Sequence, residues 1–191
     1  MSKGKFIVIT GLDGSGTTSL GQKLANEDPI GYYLQTPHQI YSEVKDLFTD
    51  NIREQFPVAH LYFYLSAVIA ASYEIKEKLK TNNVYCVRYL IDTVVSHRVA
   101  GIDIDLNYDL GYYQITKPDV TIFIDIDEDV RQERILLRGK SKLDKLLDDE
   151  IIRKKFLKEF AELSEHYVQI SNGNTLEELY FNAQKALAKR L

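Results

Sequence analysis

The nine residues Thr10-Gly11-Leu12-Asp13-Gly14-Ser15-Gly16-Thr17-Thr18 constrain this chain more than any others, because of what stands on either side of them. Before them runs Lys5-Phe6-Ile7-Val8-Ile9, an apolar stretch that reads as a strand, and after them Ser19 to Asn26 reads as a helix. Glycines in such a turn let the backbone adopt positive φ and point its N–H groups inward. With the helix N-terminus, these amides form a cradle for phosphate. The pattern G-x-x-x-x-G-[K]-[ST] is filled at Gly11, Gly16 and Thr18, while Thr17 occupies the lysine position. Thr18 offers the hydroxyl that ligates a magnesium ion between phosphates. The loop keeps its cradle and lacks its point charge. The plain alternative, a tight turn without a ligand, leaves the flanking strand, the flanking helix and Thr18 unexplained.

The remaining chain alternates in the same way. Gly31–Gln35 reads as a second strand closed by Thr36-Pro37, and His38 to Phe48 as a short helix. Pro57 to Lys80 is the longest helical pattern, apolar nearly all round between Leu61 and Ala71, which predicts burial in the middle of a domain. Val84–Val87 gives a third strand ending at Arg88-Tyr89, and Val120–Asp125 a fourth, followed by a helix capped by Asp127 and running through Arg138. After a charge-dense stretch come a helix from about Glu150 to Glu165, a fifth strand at Tyr167–Ile170, and a last helix to Leu191 capped by Thr175. Strands alternating with helices predict an α/β fold, a five-stranded parallel sheet with helices on both faces. Ligands of such sheets bind at the carboxyl ends of the strands, which singles out the loop at Gly11, Thr36-Pro37, Arg88 and Asp125 to Asp127.

With 191 residues, 45% of them hydrophobic, the chain is expected to form one domain, 1–191, around one core. A net charge of −4 argues against nucleic-acid polymers or anionic membranes as partners and leaves small charged ligands. Cys86 is alone in the apolar run Val84–Val87, so it cannot form an internal disulfide. The N-terminal residues lead into a β-like run rather than a signal sequence, and no stretch reads as a membrane span, so a cytoplasmic protein is expected.

In this order and over nearly its whole length, the chain resembles the thymidylate kinase family of P-loop nucleoside monophosphate kinases. Phe6 to Gly16 resembles that family's phosphate loop, including the aspartate Asp13; Lys117-Pro118-Asp119-Val120-Thr121-Ile122-Phe123-Ile124-Asp125 resembles its fourth-strand signature. Arg88-Tyr89 stands where the family has Asp-Arg-Tyr, and Arg134 through Lys145 resembles its basic lid, expected here at about 138–149. The resemblance implies a three-layer P-loop fold in which the γ-phosphoryl of Mg-ATP passes to the phosphate of dTMP or a related nucleotide. It also implies roles. Gly11, Asp13, Gly14, Ser15, Gly16, Thr17 and Thr18 would bind ATP, with Thr18 and Asp125 at the metal. Asp13, Phe63, Arg88, His97 and Arg98 would meet the acceptor, Phe63 by stacking on the base. Arg88 would bridge the two phosphates, and Arg134 and Arg138 would close with the lid. The family is commonly dimeric, so a homodimer is expected as well.

The departures from the family fall in the chemistry. Thr17 replaces the loop lysine and Val87 the aspartate before Arg88; the segment after the second strand is reduced to Thr36-Pro37-His38, and Ala67 stands where an arginine is expected. Losing one donor to a phosphoryl transition state costs on the order of 10²–10³ in rate unless something substitutes. Lys140 and Lys142, with Lys145, are candidates if a lid carries them in, the alternative being a solvated, salt-bridged surface with Asp144, Asp148 and Asp149. His97-Arg98 could serve the acceptor or form an exposed helix face, and Tyr62-Phe63-Tyr64 could be core packing. Two other outcomes stand beside the kinase: a silent nucleotide binder, and a kinase for a different small acceptor.

Overall fold

A computed structural model describes residues 4–38, 40–41, 44, 52–53, 55–140, 142–173 and 175–191. Its centre is β1 (Phe6–Gly11), buried along its whole length. A strand buried on both faces must be apolar at consecutive positions, and Phe6-Ile7-Val8-Ile9 supplies that run. β1 pairs in parallel with β3 (Asn83–Val87), Ile7 opposite Tyr85, and with β4 (Val120–Asp125), Ile9 opposite Ile122. β2 (Gly31–Gln35) lies outside β3 and β5 (Val168–Ser171) outside β4, so the sheet order is β2-β3-β1-β4-β5.

The pleat divides the core in two. Ile7, Ile9, Val87 and Ile122 face α1 (Thr17–Glu27) and the last helix, α7 (Leu176–Leu187). On the other face, Phe6, Val8, Cys86 and Phe123 meet α2 (Pro57–Lys78), α3 (Leu90–Val99) and α6 (Glu150–Glu162) through Val68, Ile75, Val94 and Phe160. Between β4 and α6 lie α4 (Glu128–Arg138) and the short α5 (Lys142–Leu147). Asp127 caps α4 by accepting from the Asp129 N–H at 2.9 Å, and Thr175 caps α7 in a reciprocal box with Glu178, both as the sequence implies.

The helix expected over His38 to Phe48 falls largely outside the described residues. α3 was not foreseen as an element, because its apolar positions occur all round the helix and give no amphipathic signal. By length and composition α2 meets the requirement for a membrane span, contrary to the sequence reading. Here it works as a core helix, with Leu61, Ala67, Val68, Ala71 and Ile75 buried.

β2 enters the sheet immediately below α1, and the contact is made by Gly31. A Cβ at that position would lie 2.1 Å from the Ala25 carbonyl oxygen, which is backbone and cannot rotate away. Gly31→Ala is therefore expected to cost about 2 kcal/mol or more, read as a lower urea midpoint with an unchanged m-value.

Candidate active site

The carboxyl ends of β1, β2 and β3 open onto one cleft of about 880 Å³. Its floor is the Gly-rich loop. Gly14 and Gly16 have φ of 90° and 97°, the left-handed region that favours glycine. A Cβ on Gly14 would come within 3.0 Å of Arg131 and Ile135, and one on Gly16 within 3.1 Å of Asn172. α1 starts at Gly16 with no side-chain cap and no acidic residue in its first turn, so its first amides have no internal partner. These donors and the positive end of the helix suit a phosphate chain. Thr18, exposed beside them, suits a magnesium ion held by one hydroxyl and by phosphate oxygens; the described residues contain no cluster of carboxylates or histidines to hold a metal alone.

Arg88 is the central cation. It is a non-glycine residue at φ 65°, a conformation that persists only when neighbours fix it. Its carbonyl accepts from Thr36 Oγ1 at 2.8 Å and its N–H donates to the Ile9 carbonyl at 3.0 Å. The guanidinium donates to the Gly11 carbonyl, to Asp13 and to Asp92, the last at 2.8 Å. Burial works against its charge, but Asp92 and Asp13 outweigh burial and hold it above the usual arginine range. Asp92 in turn accepts from Thr10 Oγ1 at 2.6 Å and from the Tyr89 N–H that starts α3. Val87 thus leaves no carboxylate before Arg88, and Asp92 supplies one a turn later.

Above the loop, Arg134 and Arg138 both line the cleft. Arg138 also makes two bonds, of 2.8 and 2.9 Å, to the fully buried Asp144. The lid lysines stand elsewhere. Lys140 pairs with Asp148 at 2.7 Å on the surface, Lys145 is exposed, and neither lines the cleft; of Lys142 only the backbone, at the start of α5, is described. Arg134 and Arg138 thus bring positive charge to the cleft, while Lys140 stands in the solvated salt bridge that was its alternative.

Not all the remaining candidates line the cleft. Asp125 is exposed at the end of β4, where its carboxylate accepts from Gln169 of β5 at 2.9 Å, outside the cleft and away from Thr18. Arg98 points away from the cleft, donating to the Ile104 carbonyl at 2.7 Å and lying 3.7 Å from Glu159. Phe63 packs edge-on against Tyr41 and Tyr64 and does not line the cleft, whereas Tyr64 does. His97 is not on an exposed helix face. It is 2% exposed and lines the cleft with both ring nitrogens engaged, Nδ1 2.6 Å from the Thr93 carbonyl and Nε2 2.8 Å from His60 Nδ1.

Several site residues went unread in the sequence. Asn172, after β5, donates to the Ser15 carbonyl and lines the cleft; the strand-end rule, extended to the fifth strand, would have found it. Arg131 is fully buried, bound twice by Glu128 and donating to the Asp13 carbonyl at 3.0 Å, so the root of the lid helix holds the loop in shape. Arg53 also lines the cleft and adds positive potential at His60 and His97. Nothing local in the sequence marks these two.

A Gly-rich anion cradle at the central strand, an arginine at the end of its neighbour and an arginine-bearing lid define a P-loop kinase. Comparison with known proteins gives the family. The family model for thymidylate kinase matches residues 9–180, and the chain belongs to the thymidylate kinase family. Two curated relatives are probable thymidylate kinases. That of Methanocaldococcus jannaschii is 26% identical over 163 residues, covering 85% of this chain and 82% of the relative. That of Methanococcus aeolicus is 28% identical, covering 98% and 95%. Among solved structures, thymidylate kinase from Candida albicans superposes with a TM-score of 0.77 at 16% identity, over 99% of this chain and 93% of that one. The Ehrlichia chaffeensis thymidylate kinase gives 0.68 at 20% identity, over 97% and 100%. At these identities the structures speak for the fold. Membership makes the protein a nucleoside monophosphate kinase by class, a transferase that takes its phosphoryl group from ATP.

The buried His60–His97 pair has a stability consequence. Burial first, then the neighbouring ring and Arg53, push His60 down to about 4, and burial lowers His97 as well. Both bases are depressed in the folded chain, so the unfolded chain binds more protons below about pH 6.5. Stability should be full at neutral pH and fall by about 2–3 kcal/mol as pH drops from about 6.5 towards 4. Urea midpoints across that range should show the loss, and His60→Gln should shrink it.

Proposed function

We propose that the protein transfers the γ-phosphoryl of ATP to a nucleoside monophosphate, with dTMP as the first candidate acceptor. The observation that carries this reading is that the phosphate cradle, Arg88, Arg134 and Arg138 all face one cleft. In the proposed reaction an acceptor phosphate oxygen attacks the γ-phosphorus, and the bond to the β,γ-bridging oxygen breaks, leaving ADP with the electron pair. The amides of Gly14, Ser15, Gly16 and Thr17 hold the donor phosphates. Arg88, set by Asp13 and Asp92, lies between donor and acceptor. Arg134 and Arg138 meet the charge that spreads over the transferred group. Magnesium, when bound at Thr18, would neutralise part of the phosphate charge.

The acceptor side is where specificity is open. Ala67 and Val68 form an apolar wall where the family's arginine is expected, and Arg53 is an added cation at the same end. Those features favour an acceptor range that differs from, or is broader than, that of dTMP alone; broad substrate specificity is named for the Candida albicans enzyme. A silent nucleotide binder finds no support among the relatives. We further propose a homodimer through α2, whose Val58 and Tyr62 are exposed, and a reducing cytoplasmic setting that suits the buried free thiol of Cys86.

ADP release from Mg-ATP, with dTMP, other nucleoside monophosphates and nucleosides offered in parallel, tests the reading. Release with a monophosphate supports it, and no release with any acceptor overturns it. In the same assay Arg134→Ala should lower kcat by about 10²-fold, Lys140→Ala should leave it within about twofold, and Thr17→Lys should raise it by about tenfold or more. An unchanged rate in Thr17→Lys would mean that the arginines already supply the missing charge.

A further inference from the structure

His60 and His97 form a chain whose proton positions follow from its end point. The Thr93 carbonyl can only accept, so His97 Nδ1, 2.6 Å away, carries a proton and donates it. In the neutral ring His97 Nε2 is then a lone pair, and His60 Nδ1, 2.8 Å from it, must donate. His60 Nε2 is left as a bare acceptor. It is buried, and it has no partner among the described residues. A buried acceptor without a donor is costly and in a cleft asks for a ligand that brings one. Both rings line the cleft, as do Ala67, Tyr64 and Ser96, and the Tyr64 ring lies 4.8 Å from that of His60.

We propose that His60, held in its tautomer by His97, is the residue that reads the acceptor base, by accepting a hydrogen bond from a ring N–H. The inference rests on the nucleoside monophosphate kinase reading above. An imide edge, a ring N–H between two carbonyls as in thymine and uracil, fits the chemistry present. His60 Nε2 takes the N–H, while the hydroxyl of Ser96, which also lines the cleft, is a donor for a flanking carbonyl. Cytosine has no hydrogen on its ring nitrogen at that edge and would set lone pair against lone pair. Recognition by a neutral acceptor replaces the charged contact that Ala67 removes from this wall. Thr93 and His97 are positioning residues in this scheme.

The experiment is calorimetric binding of dTMP, dUMP, dCMP and N3-methyl-dTMP to the wild-type protein, His60→Leu and His60→Gln. Wild-type protein should bind dTMP and dUMP about tenfold or more tighter than dCMP and N3-methyl-dTMP. His60→Leu should lose that preference, its affinity for dTMP falling to the level of the methylated analogue. His60→Gln, which keeps an acceptor oxygen, should recover part of it. Nitrogen-15 spectra of the histidine rings at neutral pH should show both Nε2 atoms unprotonated. An equal penalty for N3-methylation in wild type and His60→Leu would mean simple crowding and would overturn the proposal while leaving the kinase reading intact. A protonated His60 Nε2 would overturn it too. If no monophosphate binds at all, both readings fail.

Discussion

The structure depends on one guanidinium. Arg88 leaves the end of β3 in a left-handed conformation and joins the carbonyl at the start of the phosphate loop, the aspartate inside that loop and the aspartate that starts α3. Two segments distant in sequence, the phosphate loop and the β3–α3 turn, meet on one planar guanidinium fork. Unpaired, a cation there would be costly; paired with two carboxylates it is charged, oriented and still partly open to the cleft. The strained backbone at Arg88 and the uncapped first turn of α1 are both tolerated because the buried central strands β1 and β3 fix where they stand.

Much of the fold was legible because parallel strands buried on both faces must be written as unbroken apolar runs. Phe6 to Ile9 and Val120 to Ile124 could hardly be anything else. Caps were legible for a similar reason, since Asp127 and Thr175 satisfy amides next to themselves in sequence. α3 was not, because a helix packed on nearly all sides loses its periodicity. The site divided the same way. The cradle is local and was read from spacing alone, whereas the contacts of Arg131, Asp92 and Asn172 join residues that are 118, 82 and 157 positions from their partners. Asp125 and Arg98 lie off the cleft for the converse reason: being near a strand end or next to a cleft residue does not say which way a side chain turns.

The balance of charge has been redistributed rather than lost. Position 17 gives up a lysine and position 87 a carboxylate, yet Asp92 sits against Arg88 and two lid arginines reach over the loop. Elsewhere the cleft sets apolar side chains, Ala67 and Val68, with two neutral imidazoles and the Arg53 guanidinium. A phosphate tolerates cations from many directions because the Coulomb attraction is not directional. A base edge does not, since hydrogen bonds are. The first kind of site can drift by moving its charges; the second must be rebuilt as a set.

The space beside Gly14 carries this further. Arg131 and Ile135 fill the volume that any side chain at position 14 would need, and they belong to the helix that bears the lid arginines. Loop and lid helix are therefore inherited together: a substitution on one side can be accepted only after a matching one on the other. Across relatives of this chain, positions 14, 131 and 135 should covary as one unit.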